Sequence, residues 1–541
     1  IGECVPTSTW CQQPFWHSAP SSARKKVLEI INLQLTSVAA HVIIFSPGWQ
    51  HRIRSSRHSQ FRRIPCHSWS FLAIPCNGTS PRCKLGNMTD IKEIIQGDRE
   101  KIFAQLSELV SFNSVHTFAE LKDQMDGAKT WVSTALQEAG LEVEEHVTED
   151  GSVTLLGTRA GKEGAKTVLL YSHYDVVPAG DLDKWESDPF TLTERDGRWY
   201  ARGAADCKGN VIMHLAALRA LDEAGGSDLN IKVLIEGSEE MGGAGLSKLI
   251  AQSPEAFAAD AILIADCGNW AVGEPTLTSS LRGSAQVRVQ MDTLSSPAHS
   301  GQFGGAAPDA VKALMRTLDS LYDASGATVI DGTDSAAKWE GRPYPAEEFR
   351  KDARLLEGTE IAGDENTNPG DLVWARPSVT VTGFTSTPVD QAVNAVPATA
   401  EALLNVRVPA ASDPQEIAEA VVAHLKAHTP FGAHITAEII EAARGFETDL
   451  TKPALKVLEQ CLADSYGKET TTTGMGGSIP LTVELQDAHP NAEIALFGVE
   501  EPLCAIHSPN ESVDPSEIEH IAKHYFCSAT SSYRSNYRTY V

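Results

Sequence analysis

Five short segments, spread from residue 171 to residue 511, each carry a side chain of the kind that binds divalent metal. They are His173 and Asp175 in YSHYDVVP, Asp206 in ARGAADCKG, Glu239 and Glu240 in IEGSEEMGG, Asp266 in ADCGNW, and His507 in AIHSPNE. Four of them follow or sit beside an apolar, strand-like run. Groups so far apart in sequence can share one site only where several strand ends converge, and an open α/β sheet does this at its carboxyl edge. Two histidines with several carboxylates suit two zinc-like ions better than one, because a single catalytic zinc needs only three protein ligands. A lone H-x-D is more often a surface pair, and a lone Glu-Glu a solvated face. The conjunction of all five favours a two-metal hydrolase.

From Met88 onward the hydrophobic pattern is orderly. Apolar residues at three- and four-residue spacing predict helices over 91–112 and 118–139, the second stopped by Gly140. The strand-like runs LEVEEHV, SVTLLGTRA, KTVLLYSHYDVV, IKVLIEGSEE and AILIADCG follow, and the later ones alternate with helical stretches. The expected fold class is α/β: a mostly parallel sheet with helices on both faces. From about Thr278 the runs SAQVRVQMDT and ALLNVRVPA read as half-exposed antiparallel strands, separated by helices near 310–324 and 414–427. Residues 278–443 are therefore expected to form an inserted α+β domain, a lid or dimerisation module. The catalytic domain is then split into 88–277 and 444–522.

The formal charge of −26 argues against a nucleic-acid partner and against an anionic membrane surface. Residues 1–87 do not share it, holding ten Lys and Arg against two Asp and Glu, five of the ten Cys and none of the seven Met. Their apolar stretch at 27–45 is broken by Glu29, Asn32, Gln34 and His41, which disfavours a membrane span, and no clean signal-peptide pattern is present. This leader reads as upstream sequence ahead of a start at Met88, with a targeting or regulatory extension as the alternative. Residues 523–541 contain no acidic residue and read as a frameshifted tail. Cys207 and Cys267 follow two proposed ligands and read as small buried thiols. The cysteines after residue 87 show no disulfide framework, which fits a reducing cytoplasm. GGAGLSKL lacks the P-loop lysine pattern and simply opens a helix.

Taken in order, HYDVVP, W-x-S-D-P-F, RGAADCKG, EGSEEMGG, SPAHSG, GGSIP and HSPNE resemble the di-zinc amidohydrolase and peptidase family. That family includes carnosinase-type and bacterial dipeptidases, glutamate carboxypeptidases and succinyl-diaminopimelate desuccinylase. The similarity runs from about Met88 to Ala522 and is strongest to the dipeptidase branch. It implies a zinc aminopeptidase-like catalytic domain and two divalent ions, zinc with manganese or cobalt as alternatives. Asp206 would bridge the ions, with His173 and Asp266 on one, and Glu240 and His507 on the other. Asp175 would accept the other N–H of His173 and fix its tautomer. Glu239 would act as general base towards water and then protonate the leaving amine. From the inserted domain, His299 would polarise the scissile carbonyl, supplied across a homodimer in dimeric relatives. Arg407 would grip the substrate's terminal carboxylate. Gly476, Gly477 and Ser478 would touch that carboxylate too, Asn394 would reach the substrate, and Gly283 would shape the hinge. Met475 departs from the pattern, since dipeptidases commonly have a charged residue there. The implied activity is that of a metal-dependent dipeptidase, hydrolysing dipeptides with a free C-terminal carboxylate. Alternatives are an N-acyl-amino-acid deacylase or desuccinylase, or a catalytically silent binding protein.

Overall fold

The computed structural model describes residues 95, 97–116, 118–477 and 479–529; the leader 1–87, Met88, Ser478 and residues 530–541 lie outside them. Nine of the described strands form one sheet. Its spatial order is Glu142–Val147, Val153–Arg159, Asn230–Glu236, Thr167–His173, Ala261–Ala265, Glu493–Phe497, Thr276–Leu281 and Phe446–Glu447, with Thr471–Met475 also paired to Thr276–Leu281. The four strands from Asn230–Glu236 to Glu493–Phe497 run parallel. Both margins are mostly antiparallel, so the sheet is mixed and the expected parallel pattern belongs to its centre. At one margin Glu142–Val147 and Val153–Arg159 close directly as a hairpin, which needs no crossover helix.

Successive residues of the central strands enter different cores, because side chains alternate across a strand. Leu170, Val233 and Leu263 pack with the helices Arg99–Val110, Lys122–Glu138 and Lys208–Glu223 on one face. Leu169, Tyr171, Leu234, Ile262 and Ile264 pack with Ala244–Gln252 and Pro480–Ala488 on the other. Burial on both faces is why these strands read as continuous apolar runs. Helix Lys208–Glu223 is buried continuously from Lys208 to Leu218, which anchors the loop just before it. The final helix runs from Pro515 to Ala529, past residue 522, where the catalytic domain was expected to end. Ile518, Ile521 and Ala522 are buried against the core, and an anchored helix extends at one hydrogen bond per added residue.

The chain leaves the large sheet at Leu281 and enters a second sheet at Gly283, returning between Ala443 and Phe446. Here two backbones cross closely. A Cβ on Gly283 would lie 2.8 Å from the Ala443 carbonyl oxygen and 2.9 Å from the Gly445 nitrogen, so glycine is required for steric reasons. The second sheet is antiparallel, in the order Ser378–Thr385, Thr399–Val408, Gly283–Asp292 and His434–Ala443. Its buried face packs against helices Ala310–Asp319 and Pro414–Ala427 in a core of its own. The second helix is capped by Asp413, whose carboxylate accepts from the Gln415 and Glu416 N–H groups, with proline in the first turn.

Candidate metal centre and catalytic site

His173 ends its central strand and is fully buried. Its Nδ1 lies 3.1 Å from the Asp175 carbonyl oxygen and 3.2 Å from Asp175 Oδ1. Both neighbours are acceptors, which assigns the ring proton to Nδ1. The Nε2 lone pair then faces Asp206 Oδ1 at 3.1 Å and Asp266 Oδ1 at 3.3 Å. A lone pair opposed to two carboxylates repels them unless a proton or a metal ion lies between. A second group adjoins the first. His507 Nε2 is 3.0 Å from Asp206 Oδ2 and 3.1 Å from Glu240 Oε2. Asp206 thus turns one carboxylate oxygen to each histidine.

These residues fit a pair of divalent ions. Imidazole nitrogen with carboxylate oxygen suits zinc and its neighbours. Glu240 Oε1 is buried and has no hydrogen-bond partner among the described residues. Cys207 also lies within ligand distance of His173, Asp206 and Asp266. Its Sγ donates instead to the Ala265 carbonyl at 3.2 Å, and burial pushes the thiol well up, so it stays protonated and is a poor ligand.

Glu239 and Glu240 occupy a 3₁₀ turn just beyond the strand Asn230–Glu236. The Asp175 carboxylate accepts both of their backbone N–H groups, at 3.2 and 3.0 Å. Asp175 therefore stands beside the His173 ring as expected, and it also holds the glutamate turn, which its sequence context did not suggest. Glu239 Oε2 is 3.9 Å from His173 Nε2, adjacent to the ligand group but outside it. Burial, then the charge of Asp266, push the Glu239 carboxyl up to about 9. Burial raises Asp266 to about 6. Hydrogen bonds to Asp206 and Glu240 raise His507 to about 10. Burial works against charging His173, yet the surrounding anionic groups lift it well above the usual histidine range. Cations placed among these carboxylates would lower all of these values.

Sequence reasoning passed over the residues that hold the Asp206 loop. Glu511 Oε1 accepts from the N–H groups of Ala205 and Asp206, each at 3.1 Å. Its Oε2 accepts from the Gly203 N–H at 3.1 Å and from Arg202 Nη1 at 2.5 Å. Behind the loop, Asn210 Nδ2 donates to Glu500 Oε1 at 2.6 Å, and its Oδ1 accepts from the Val499 N–H at 3.0 Å. The only available signal was the nearness of Glu511 to His507 in HSPNE.

The residues expected from the second sheet's domain are not in contact with this group. His299 is exposed on a short ribbon paired with Ala395. The neighbouring Asn394 is also exposed, and its carbonyl accepts from the Ser300 N–H at 2.9 Å. Arg407 is half-buried on Thr399–Val408, and no carboxylate among the described residues pairs with it. Beside it sits Arg282, buried and overlooked by sequence reasoning. Burial first, then the Arg407 charge, lower Arg282 to about 9. Its Nη2 donates to Ser378 Oγ and to the Arg376 and Arg407 carbonyls, whereas Nε has no partner. The Arg282 N–H donates to the Met475 carbonyl, which places the Gly476–Gly477 loop next in the chain; Ser478 lies outside the described residues.

A family model described as Peptidase family M20/M25/M40 matches residues 169–530. The chain belongs to this family. It is a metallopeptidase, similar over most of its length to metal-dependent dipeptidases. A cysteinylglycine-S-conjugate dipeptidase of Corynebacterium striatum is 54% identical over 79% of this chain and 94% of its own length. A Cys-Gly metallodipeptidase of Saccharomyces cerevisiae is 26% identical over 80% of this chain and 95% of its own. The fold is that of human carnosine dipeptidase 1, with a TM-score of 0.65 at 21% identity, covering 82% of this chain and 98% of that one. An M20 metallo-carboxypeptidase of Sulfolobus solfataricus has a TM-score of 0.64 at 22% identity, covering 79% and 98%. The M20 match begins inside the central strand that ends at His173 and takes in every residue of the two ligand groups.

Proposed function

We propose that this M20 peptidase cleaves Cys-Gly and S-substituted Cys-Gly dipeptides in the cytoplasm, as a homodimer with two zinc ions per chain. The observation that carries the metal assignment is Asp206, whose two oxygens face different histidines at 3.1 and 3.0 Å. His173, Asp206 and Asp266 would hold one ion, and Asp206, Glu240 and His507 the other. Bound there, the ions supply Lewis acidity, polarising the scissile carbonyl and making water a stronger acid. Glu239 accepts the proton of the attacking water at its carboxylate and returns it to the leaving amine nitrogen. Bound ions would lower the Glu239 carboxyl from its metal-free value of about 9, leaving it ionised and able to accept that proton.

Arg407 and Arg282 form a cationic pair with no carboxylate among the described residues, which suits them to the substrate's terminal carboxylate. The loop of Gly476, Gly477 and Ser478 follows Met475 beside them. His299 and Asn394 are exposed in one protomer, consistent with a role towards a partner's site. A dimer also accounts for the strand Ser378–Thr385, an open sheet edge with Val381 and Phe384 exposed, because such edges invite pairing. The Cys-Gly preference rests on the 54% identical relative. The cytoplasmic assignment is consistent with the free, buried Cys207, Cys267, Cys461 and Cys504.

The test is hydrolysis of Cys-Gly, an S-benzyl-Cys-Gly conjugate, other free dipeptides, and N-acetyl and N-succinyl amino acids. Each is assayed before and after chelation and zinc add-back. Zinc-restored turnover of Cys-Gly substrates above the others supports the proposal. Turnover confined to acylated amino acids would move the activity to the deacylase branch of the family.

A further inference from the structure

A second histidine–carboxylate group lies in the domain of the four-stranded sheet and shares no residue with the catalytic cluster. His424 and His428 are one turn apart at the C-terminal end of helix Pro414–Ala427, and Asp331 reaches them from the segment after helix Ala310–Asp319. Asp331 Oδ2 is 3.2 Å from His424 Nδ1 and 2.9 Å from His428 Nε2. The two rings stack with centroids 4.2 Å apart and planes 22° from parallel.

The surroundings of His424 settle its tautomer. Its Nε2 is 3.0 Å from the Ser320 carbonyl oxygen and 3.1 Å from Ser320 Oγ. Ser320 Oγ already donates its hydrogen to the Thr317 carbonyl at 2.7 Å, so both Ser320 oxygens can only accept. His424 Nε2 therefore carries the proton, and Nδ1 accepts from the Asp331 N–H at 3.1 Å with the Asp331 carboxylate beside it at 3.2 Å. The catalytic His173 is also fixed at one ring nitrogen by a protein acceptor and has carboxylate oxygen beside the other. The ligand-to-ligand distances of 3.2 and 2.9 Å also approach the edge of a tetrahedron around an ion with bonds of about 2.0–2.2 Å. Two histidines at i and i+4 on one helix face are a recurrent way to hold zinc.

We propose that Asp331, His424 and His428 form a further divalent-metal site, for zinc or a similar ion such as nickel. Asp331 and His428 have side chains 65% and 42% exposed, so the site is open to water for its remaining coordination. The Asp331 N–H that occupies the His424 Nδ1 lone pair gives it up when the ion enters. Stacked imidazolium rings would repel each other, whereas a single ion between neutral rings satisfies both and the carboxylate. The ion would clip the last turn of Pro414–Ala427 to the segment carrying Asp331, closing one side of the second domain's core.

The experiment is equilibrium dialysis of the full chain against buffered micromolar zinc at pH 7.5, with bound metal counted by elemental mass spectrometry. Wild type is compared with His428→Ala and Asp331→Asn, and dipeptide turnover is measured on the same samples. The expected result is one ion more per chain in wild type than in either variant, with turnover unchanged in all three. X-ray absorption would show a larger histidine share of the zinc ligands in wild type. Equal stoichiometry in all three proteins would overturn the proposal and leave only a proton bridging the three side chains. Persistence of the additional ion in both variants would overturn it as well. Asp331 is a surface carboxylate, so its amide variant remains informative even where His428→Ala perturbs folding, which circular dichroism would reveal.

Discussion

Replacing Glu511 by glutamine should damage the metal centre without touching a proposed ligand. Glutamine keeps the size of the side chain and exchanges one carboxylate oxygen for an NH2 group. Every neighbour of the two oxygens is a donor: Arg202 and Gly203 at one, Ala205 and Asp206 at the other. Whichever way the amide turns, its NH2 meets two N–H groups that then lack an acceptor. Each unsatisfied buried group costs about 1–3 kcal/mol. Arg202, only 1% exposed, loses its counter-charge, and breaking a buried pair costs about 3–5 kcal/mol. One relaxation relieves part of both, so the net loss should be about 4 kcal/mol rather than the sum. The loop that bears Asp206 should also shift, weakening metal binding about 10–100-fold. Urea unfolding of metal-free protein reads the first effect, and zinc competition with a chromophoric chelator reads the second. The double variant Arg202→Met, Glu511→Leu should recover only the ion-pair part of the loss, because apolar groups can replace a buried pair at little cost while the Gly203, Ala205 and Asp206 N–H groups still lack an acceptor. It should not recover the affinity, since the Ala205 and Asp206 N–H groups still lack their acceptor. A Glu511→Gln protein within about 1 kcal/mol of wild type and with unchanged zinc affinity would refute the reasoning.

Glu239→Gln should retain its metal while kcat falls about 10²–10⁴-fold; a smaller loss with full metal occupancy would remove Glu239 as the proton carrier. Arg407→Ala should raise KM for free dipeptides about 10-fold or more, as expected for loss of a charge-assisted carboxylate contact, and an unchanged KM would place the carboxylate elsewhere. The metal-free protein should lose stability as pH rises. Burial holds Glu236 at about 8 and Glu239 at about 9, and hydrogen bonds to Asp206 and Glu240 hold His507 at about 10. Each folded value exceeds the unfolded one, so each contribution is complete below the unfolded value and is lost as pH climbs through the folded value. Urea midpoints that increased from about pH 5 to about pH 9 in the absence of metal would contradict this. By the same linkage, zinc binding at pH 7 should release protons, seen as a binding enthalpy that varies with the ionisation enthalpy of the buffer.

What could be read before folding was local. His173, Glu239, Glu240 and Asp266 are flanked by apolar runs whose length and β-branched content reveal strands, and a ligand-type residue at the end of each run marks the site edge. Helix Pro414–Ala427 was legible because proline, capping aspartate and apolar spacing agree within a single stretch. What remained hidden depends on which segments meet. Glu511 cannot be recognised as the acceptor for the Asp206 loop from its neighbours in HSPNE, since its partners lie some 300 positions earlier. The antiparallel margins of the sheet follow from pairings between distant strands, where propensity carries no direction. Asp331 joins His424 and His428 only because two helices pack on one sheet. The chemistry of the site and the types of its elements were thus determined by the sequence itself, because periodicity and residue type are properties of short stretches. The tautomers of its histidines, the support of its loops and the second metal-type cluster were decided by tertiary structure alone, because hydrogen bonds and burial between remote segments exist only after the chain has closed on itself.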